Sequence, residues 1–541
     1  MRHAIARFLI IVLASLVSAI FLMLGTGLVG SGTIAGVEDN GDGSRLYCGA
    51  ALVPDAPLDR SDWMGGVIEQ YDVDTETLVD CPDPVPSSAL LMLRTASGDV
   101  ADGATWTITE LGWLYIAAFA AVTAVAAWAA TAVALWRVLL LVPGLAPLAN
   151  TDFARFLLST YGEPAGLLGT YAVISGTAAI LATTRSNRVT RTVALMLVAG
   201  GGLFAVAAKV AYAPVLLAAF VVCAVTAVGL TRAADGWASR IIGPTLAGLL
   251  LVMGVPTVQA GMQWQDRNYA DGNVHNLIYT ALLVEIPGAA VLLGLPAEAA
   301  QYAGTPIQTS SLDKPGRAEI AEDPAEFRGR AVRMLLVNPE VLLHGMTLGL
   351  QATQGRDLVY LHSAPWEPGA QFINRPQTQE AQVLSAGQQS ATATALDYWL
   401  DQMPLPWLPS VLVAIGLAAG AAGLVLRRLL PASFAVLAGA AAATALALIA
   451  AALADGYFEL AKHVWLASYL IDVVALSLAG AVLMVPLEVA RWTKSDGHRG
   501  QSGSPRHAAA SVAPEPPGPV VPPGSPPPSA ESPAPVQPAP V

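Results

Sequence analysis

Ionisable and aromatic side chains gather in five short polar stretches between the long apolar runs of this 541-residue chain. A carboxylate in such a stretch can act as a general base toward a hydroxyl group, and lysine, arginine or histidine can hold a phosphate. If the stretches meet at one face, they predict transfer of a group from a phosphate-linked carrier to a hydroxyl. The candidates, from the first stretch to the fifth, are Asp39, Asp42 and Arg45; Asp152, Tyr161 and Glu163; Lys209 and Tyr212; His275 and Tyr279; and Lys462 and His463.

Each candidate also has a purely structural interpretation, which the residues alone leave open. Residues 38–43 read E-D-N-G-D-G and suit a solvated turn. Glu163 stands before a proline and suits the first turn of a helix, where carboxylates are stabilised. Lys209 and His463 suit cations at a membrane interface, and His275 suits an ordinary loop position.

Metal binding has little support in the sequence. The turn at residues 38–43 has acidic residues at a calcium-like spacing, but it lacks the twelve-residue loop with a terminal glutamate. His344 and His362 have no companion at metal-ligand spacing. No metal ligand is therefore assigned, and a requirement for a divalent metal stays open. The fingerprints of nucleotide-binding and serine-hydrolase sites do not occur in a usable context.

Composition places these residues in a membrane protein. Hydrophobic residues make up 54% of the chain and charged residues only 13%, against about 25% charged in soluble domains. The net charge of −12 argues against a nucleic-acid partner, which would need a basic face. Residues 30–110 alone contain 15 acidic and 3 basic residues, so the acidity belongs mainly to one segment.

The apolar runs predict about ten transmembrane helices, since about 20 apolar residues cross a bilayer. The third run is short and interrupted by prolines, and Gly200–Gly202 make the fifth run weak. The predicted spans are Phe8–Val29, Leu111–Trp136, Val138–Ala149, Pro164–Thr183, Val193–Ala208, Pro214–Leu230, Ile241–Gln259, Leu408–Leu426, Ala432–Leu453 and Val464–Leu487.

Basic residues predict the orientation, because they favour cytoplasmic loops. With ten spans every basic cluster falls on one side, so both termini are predicted to be cytoplasmic and the protein to lie in the plasma membrane. The first run is interpreted as a retained anchor rather than a cleaved signal peptide. The clusters contain Arg2 and Arg7; Arg137; Arg185, Arg188 and Arg191; Arg232 and Arg240; Arg427 and Arg428; and Arg491, Lys494 and Arg499.

Two long segments then lie outside the membrane. The first contains Cys48 and Cys81, which an oxidising compartment would join in a disulfide. The second has stretches such as 333–343 that suit amphipathic or re-entrant helices. The chain divides into an N-terminal transmembrane anchor (1–29), an acidic extracytoplasmic loop (30–110), transmembrane helices two to seven (111–259), a large extracytoplasmic region (260–407), transmembrane helices eight to ten (408–490) and a disordered Pro-rich cytoplasmic tail (491–541).

Several of these stretches resemble the WsfD-type glycan hexose transferases, which are bacterial membrane glycosyltransferases of the GT-C class. The resemblance covers about residues 5 to 490, and its most specific pieces are the N-G-D turn and the L-G-L-P to Y-A-G-T run. The matching segments are N-G-D-G-S-R at 40–45, Y-G-E-P at 161–164, A-K-V-A-Y-A-P at 208–214, H-N-L-I-Y-T at 275–280, L-G-L-P-A-E-A-A-Q-Y-A-G-T at 293–305 and D-G-Y-F-E-L-A-K-H at 455–463.

This resemblance implies a polyprenyl-phosphate-sugar donor, an exported glycan or cell-surface carrier as acceptor, and an acidic residue of the first outer loop as catalytic base. Asp42 stands at the matching position, with Asp39 as the fallback, and Glu163 matches a second acidic position. The departures concern Gly43, where an aromatic residue is expected, Lys462, where arginine is expected, and a long first loop. They bear on the acceptor more than on the reaction type.

The cations of the candidate set match positions where the resemblance implies contacts with the donor phosphate. These cations are Lys209, Arg45, Lys462 and His463. The other polar candidates, Asp152, Tyr161, Tyr212, His275 and Tyr279, are expected to bind substrate.

We therefore predict an all-α polytopic membrane protein with a GT-C-like fold and two large extracytoplasmic segments. Its predicted activity is inverting hexose transfer, in which Asp42 takes the proton of the acceptor hydroxyl. Two other functions stay open. A transporter or flippase would need an internal repeat and polar residues at the membrane midplane. A non-catalytic envelope scaffold would hold the acidic and basic loops apart.

Overall fold

Long apolar helices dominate the protein, as the composition predicts. The computed structural model describes residues 2–29, 34–39, 42–55, 67–78, 81, 83–228, 241–307, 314–356, 358, 361, 405–426 and 430–501, without the side chains of 2, 77, 430 and 489–501. Within these residues eight helices are long and apolar enough to cross a membrane, which confirms a polytopic helical membrane protein. The main helices are α1 (Arg2–Gly25), α2 (Ile108–Ala130), α3 (Glu163–Ala182), α4 (Arg188–Ala208), α5 (Ala213–Val225), α6 (Ile242–Asn276), α7 (Pro339–Ala352), α8 (Leu408–Val425), α9 (Leu430–Ala452) and α10 (Trp465–Gln501).

Helix α3 is the centre of this bundle, since 94% of its apolar window is buried. Its small residues let neighbouring backbones approach closely. We call the two ends of the bundle the Glu163 end and the Ala182 end, after the first and last residues of α3.

The short third span runs from the Ala182 end to the Glu163 end although it has only 15 residues, Leu135–Ala149. Arg137 donates to the carbonyl of Ala182, and Ala149 lies beside Gly25 at the far end of α1. Most of the segment is 3-10 helix, which rises about 2.0 Å per residue instead of 1.5 Å. Its length therefore reaches about 28 Å, close to the thickness of the hydrocarbon core.

The weakness predicted for the fifth span is wrong. Helix α4 runs unbroken through its three glycines. A side chain at Gly201 would meet the carbonyl oxygen of Gly169 at 2.6 Å, so this glycine is a contact point between α4 and α3. The sixth span is instead the shorter one, because α5 ends at Val225.

Helix α6 is much longer than the predicted span, which ended at Gln259. It has 35 residues and ends at Asn276, so it extends about 52 Å against a hydrocarbon core of about 30 Å. It continues directly into a rare π-helix, Leu277–Leu282. Hydropathy marks where the chain leaves the membrane, and α6 keeps its helical hydrogen bonds past that point.

A charged pair lies inside the bundle. Helix α7 returns along α9, with Gly345 beside Leu453 and Gly349 beside Ile449. The chain after α7 brings buried Arg356 within 2.5 Å of Asp472, in the third turn of α10. From the sequence, Asp472 is the one ionisable group clearly inside a span, and its partner comes from the region expected to lie outside.

The first outer segment contains a small antiparallel sheet, which adds to the predicted helical architecture. Its strands, in spatial order, are β1 (Leu52–Pro54), β2 (Gln70–Val73) and β3 (Thr105–Thr107). Tyr71 pairs with Trp106, and both rings are buried. The predicted disulfide between Cys48 and Cys81 is confirmed, and it ties the start of this segment to the chain after β2.

The shorter elements complete the described chain. They are Ser44–Tyr47, Cys48–Ala50, Thr75–Leu78, Ser88–Ser97, Thr151–Ala154, Arg155–Leu158, Val210–Tyr212, Leu283–Glu285, Ala289–Leu293, Ala297–Tyr302, Arg317–Glu322, Pro324–Val337, Leu453–Asp455 and Leu460–His463.

Three arginines from the predicted cytoplasmic clusters lie together at the Ala182 end. Arg7 donates to the carbonyl of Trp128, and Arg191 donates to the carbonyl of Ile180. Arg137 joins them there, as described above. That this end faces the cytoplasm remains a prediction.

Five of the predicted positions lie outside the described residues: Arg232, Arg240, Arg427, Arg428 and, among the isolated histidines, His362. Of the Pro-rich tail, residues 502–541 lie outside as well.

Candidate active site

The turn after α1 presents Asp42 and Arg45. The Asp39 carboxylate accepts a hydrogen bond from the backbone N–H of Gly43 at 3.0 Å, which closes the turn. A side chain at Gly43 would run into this carboxylate, so the aromatic residue expected from the resemblance does not fit here. Asp39 is buried and fixes the backbone beside Asp42. Asn40 and Gly41 lie outside the described residues.

Two cations contact the Asp42 carboxylate. Arg45 binds one carboxylate oxygen and Lys462 binds the other, across 420 positions of sequence. Burial alone would raise the pKa of Asp42, but the charges of Arg45 and Lys462 outweigh it and hold that pKa well below 3.8. Burial lowers the pKa of Lys462, yet Asp42 and Glu459 raise it above 10.5 overall.

A second ion pair joins the ends of α3 and α4. Lys209 directly follows α4, and its ammonium lies 3.1 Å from the carboxylate of Glu163, the first residue of α3. Glu163 is buried, whereas the Lys209 side chain keeps 29% of its surface exposed. The pair therefore leaves a cation available to a ligand.

One open pocket at the Glu163 end is lined by Asp42, Arg45, Glu163 and Lys209, and Lys462 reaches it through Asp42. One wall is apolar, and α6 supplies an adjoining wall. The polar lining contains Asp42, Arg45, Tyr161, Glu163 and Lys209; the apolar wall contains Val206, Ala207, Val210 and Ala211; and the α6 wall contains Thr257, Gly261, Trp264 and Gln265.

Aromatic rings hold two of the cations in place. The Arg45 guanidinium lies over the Tyr269 ring of α6 at 4.8 Å, and the Lys462 ammonium lies 5.3 Å from the Tyr161 ring. The Tyr161 hydroxyl donates to the carbonyl of Glu38 at 2.8 Å. The first outer turn, α6 and the segment before α10 thus meet around Asp42.

Two carboxylates beside the predicted cations were missed in the selection of site residues. Asp455 lies 3.4 Å from His463, and Glu459 lies 3.4 Å from Lys462. Both stand in the same D-G-Y-F-E-L-A-K-H stretch that supplied the two predicted cations. Their spacing could have identified them. Glu459 stands three residues before Lys462 and Asp455 eight before His463, so a tight turn can bring each carboxylate against its predicted cation.

Six predicted substrate contacts do not line this pocket, and two of them, Lys462 and His463, lie in the short helix before α10. Asp152 is buried, and its carbonyl accepts from the Trp465 indole at 3.2 Å. The buried Tyr212 ring packs against Gly166. His275 stacks on Tyr279 with ring centres 4.1 Å apart, and the Tyr279 hydroxyl donates to the carbonyl of Pro315.

A family model described as the YfdI N-terminal transmembrane domain matches residues 2–293, more than half of the chain. The chain belongs to this family. YfdI is a GT-C-like membrane glycosyltransferase, and the family suggests that the present protein is a membrane protein of glycosyltransferase type. No curated protein and no solved structure matches the chain. The narrower resemblance to WsfD-type transferases remains a proposal.

The YfdI-type region contains only part of the cluster. It includes Asp42, Arg45, Glu163 and Lys209, whereas Lys462 lies beyond its last matched residue. The C-terminal part of this YfdI-family protein therefore supplies the second cation that binds the Asp42 carboxylate. Among the described residues, no group of three or more His, Cys, Asp or Glu side chains is placed to hold a metal ion.

The ion pair between Asp42 and Lys462 should stay charged over a wide pH range in this YfdI-family protein. Folding lowers the pKa of Asp42, so its contribution to stability is present above pH 3.8 and is lost as the pH falls through the lower folded-state pKa. Folding raises the pKa of Lys462, so that contribution is present below pH 10.5 and is lost as the pH rises through the higher folded-state pKa.

We expect the difference in unfolding temperature between the wild type and Asp42→Asn to be constant from about pH 5 to about pH 9 and to shrink below about pH 4. Thermal unfolding of the detergent-solubilised protein measures this difference. A difference that does not shrink below about pH 4 would contradict the assignment of charges.

Proposed function

We propose that the protein transfers a hexose from a polyprenyl-phosphate-sugar donor to a hydroxyl of an envelope glycan or carrier. The Glu163 end would face the extracytoplasmic side of the plasma membrane, with both termini in the cytoplasm. The observation that carries the proposal is the position of Asp42 between Arg45 and Lys462, in a pocket with one apolar wall at the end of the bundle.

The exposed cations suit a lipid-linked phosphate. The side chains of Arg45 and Lys209 keep 28% and 29% of their surface exposed, and both line the pocket. Each has a carboxylate partner, so each is held in place before the donor arrives. A phosphodiester oxygen can share these donors, and arginine binds such oxygens in a bidentate manner.

The apolar wall suits the first isoprenoid units of the carrier. It is formed where α4 ends and the chain turns toward α5, so it lies at the level where the long helices reach the bundle end. Gly261 of α6 lies directly against this wall, since a side chain there would come within 3.3 Å of Val210. The phosphate would bind at the membrane boundary while the lipid chain stays in the bilayer.

Donor binding also explains how Asp42 can act as a base. In the empty site its two cations lower its pKa, and a weakly basic carboxylate is a poor proton acceptor. A donor phosphate competes for Arg45, which lines the pocket, so the hold of this cation on Asp42 weakens and the basicity of Asp42 rises. The acceptor oxygen then bonds to the anomeric carbon as its proton passes to Asp42, and the bond to the phosphate oxygen breaks with its electron pair leaving on the phosphate.

Replacement of Lys209 by methionine tests the donor site. We expect the KM for a polyprenyl-phosphate hexose to rise about tenfold or more, because one charge-assisted contact to the phosphate is lost. Initial rates with a panel of short-chain polyprenyl-phosphate hexoses, assayed in proteoliposomes, measure the change. Arg267→Met is the matched control, since Arg267 pairs with Asp83 at an exposed position outside the pocket lining. An equal change in both variants, or transfer from none of the donors by the wild type, would overturn the proposal.

A further inference from the structure

A polar network lies beside the cation cluster and takes no part in the proposed reaction. Asn276, the last residue of α6, donates to one oxygen of Asp455 at 3.4 Å. His463 lies 3.4 Å from the other oxygen. The side chains of Asp455 and His463 keep 19% and 20% of their surface exposed, so a ligand can reach both.

The orientation of the Asn276 amide is determined by a second contact. Its oxygen accepts the backbone N–H of Ile307 at 3.0 Å, so its nitrogen must face Asp455. The carboxylate therefore meets a neutral donor on one side. Neither contact places a full opposite charge on Asp455, in contrast to the two cations on Asp42.

The backbone around Asp455 is held against α6 and the π-helix. Tyr457 donates its N–H to the Thr280 hydroxyl at 2.8 Å. Gly456 has φ of +66° and packs on Asn276, where a side chain would approach the Asn276 carbonyl oxygen to 2.6 Å. Only glycine fits there. This packing keeps the Asp455 carboxylate at a constant position relative to Asn276.

His463 stays neutral at physiological pH. Burial lowers its pKa to about 3, and the charges of Lys209 and Lys462 add to this effect. A neutral imidazole has one ring nitrogen that donates and one that accepts a hydrogen bond. Burial raises the pKa of Asp455 to about 7, and the charge of Glu459 adds to this effect. The network thus offers an amide, a carboxyl group that can donate or accept, and a neutral imidazole.

We propose that Asp455, Asn276 and His463 form a subsite for the hydroxyl groups of the acceptor carbohydrate. Neighbouring sugar hydroxyls each donate and accept one hydrogen bond, which this set of groups can satisfy. Asp42 and Lys209 lie within electrostatic reach of Asp455, as does Glu459, so the subsite adjoins the reaction centre. The carbohydrate would enter from the Asn276 side while the lipid carrier occupies the apolar wall. The inference rests on the proposed function.

The test is the variant Asp455→Asn. It keeps the shape of the side chain but replaces one carboxylate oxygen, between Asn276 and His463, by an NH2 group that only donates. Saturation-transfer difference NMR on the full-length detergent-solubilised protein, without donor, measures binding of methyl α-D-glucopyranoside, methyl α-D-mannopyranoside and methyl β-D-galactopyranoside. We expect the wild type to bind at least one glycoside and Asp455→Asn to bind it about 10- to 100-fold more weakly. Asp266→Asn is the control. Asp266 lies on α6, as Asn276 does, and pairs at an exposed position with Arg328 of the helix Pro324–Val337.

A second variant keeps the test valid if Asp455→Asn folds poorly. Asn276→Leu removes the amide and should weaken glycoside binding with it. Binding that is unchanged in both variants, or no binding of any glycoside to the wild type, would overturn the subsite. Glycoside binding without any sugar transfer would contradict the proposed function but not the subsite. Transfer activity in which Asp455→Asn leaves the acceptor KM unchanged would sink the subsite alone.

Discussion

Replacing Asp42 by asparagine is expected to lower sugar transfer about 10²- to 10⁴-fold, because the acceptor hydroxyl loses its proton acceptor. The amide keeps the size of the carboxylate but cannot take a proton. The loss should fall on kcat rather than on the KM for donor, since Arg45 and Lys462 remain and are released from their shared carboxylate. Single-turnover transfer at saturating donor in proteoliposomes measures the effect.

Asp83→Asn is a suitable comparison for Asp42→Asn, because Asp83 also pairs with an arginine but lies at an exposed position outside the pocket lining. It should transfer sugar at the wild-type rate. Asp42→Asn activity within a few-fold of that rate would remove Asp42 from the reaction. A large increase in the donor KM with little change in kcat would assign it to donor binding instead.

Replacing Arg356 by methionine is expected to destabilise the fold by about 3–5 kcal/mol. Arg356 is buried and lies 2.5 Å from Asp472, so its removal leaves a carboxylate among apolar helices. Chemical unfolding of the detergent-solubilised protein, followed by tryptophan fluorescence, measures the loss.

The double variant Arg356→Met/Asp472→Leu separates the ion pair from the packing. Removing both charges should restore most of the stability, because no buried carboxylate is left behind. If the double variant is as unstable as Arg356→Met, the loss comes from packing around Arg356. If neither is destabilised, the pair has no role in holding the chain after α7 against α10.

Much of the bundle is predictable from apolar runs, because their length and composition are set by the bilayer. The predicted helices were wrong where contacts between helices, rather than hydropathy, determine how far a helix extends. Gly200–Gly202 suggested a weak helix, yet Gly201 and Gly202 lie where α4 meets its neighbours. The end of α6 was placed at Gln259 because hydropathy changes there, although nothing in the following residues stops a helix.

The sequence predicts which residue types form the site, but only partly which residues contact one another. Polar stretches between spans pointed to Asp42, Glu163, Lys209 and Lys462, and the structure brings all four together. The contact of Asp42 with Lys462 spans 420 positions, and no local pattern specifies it. Asp455 was passed over in favour of its cationic neighbours, and His275 was chosen although it packs on Tyr279 away from the pocket.

The length of α6 has a consequence for how the two substrates would be spaced. One unbroken helix contributes Gly261 to the lipid-facing pocket, Tyr269 beneath Arg45 and Asn276 beside Asp455. These three positions are separated along the helix axis by about 12 Å and then about 10 Å, and a helix changes length very little. Helix α6 would thus set a fixed distance between the donor site and the acceptor subsite. Each residue inserted between Tyr269 and Asn276 would rotate Asn276 by about 100° around the helix axis, away from Asp455.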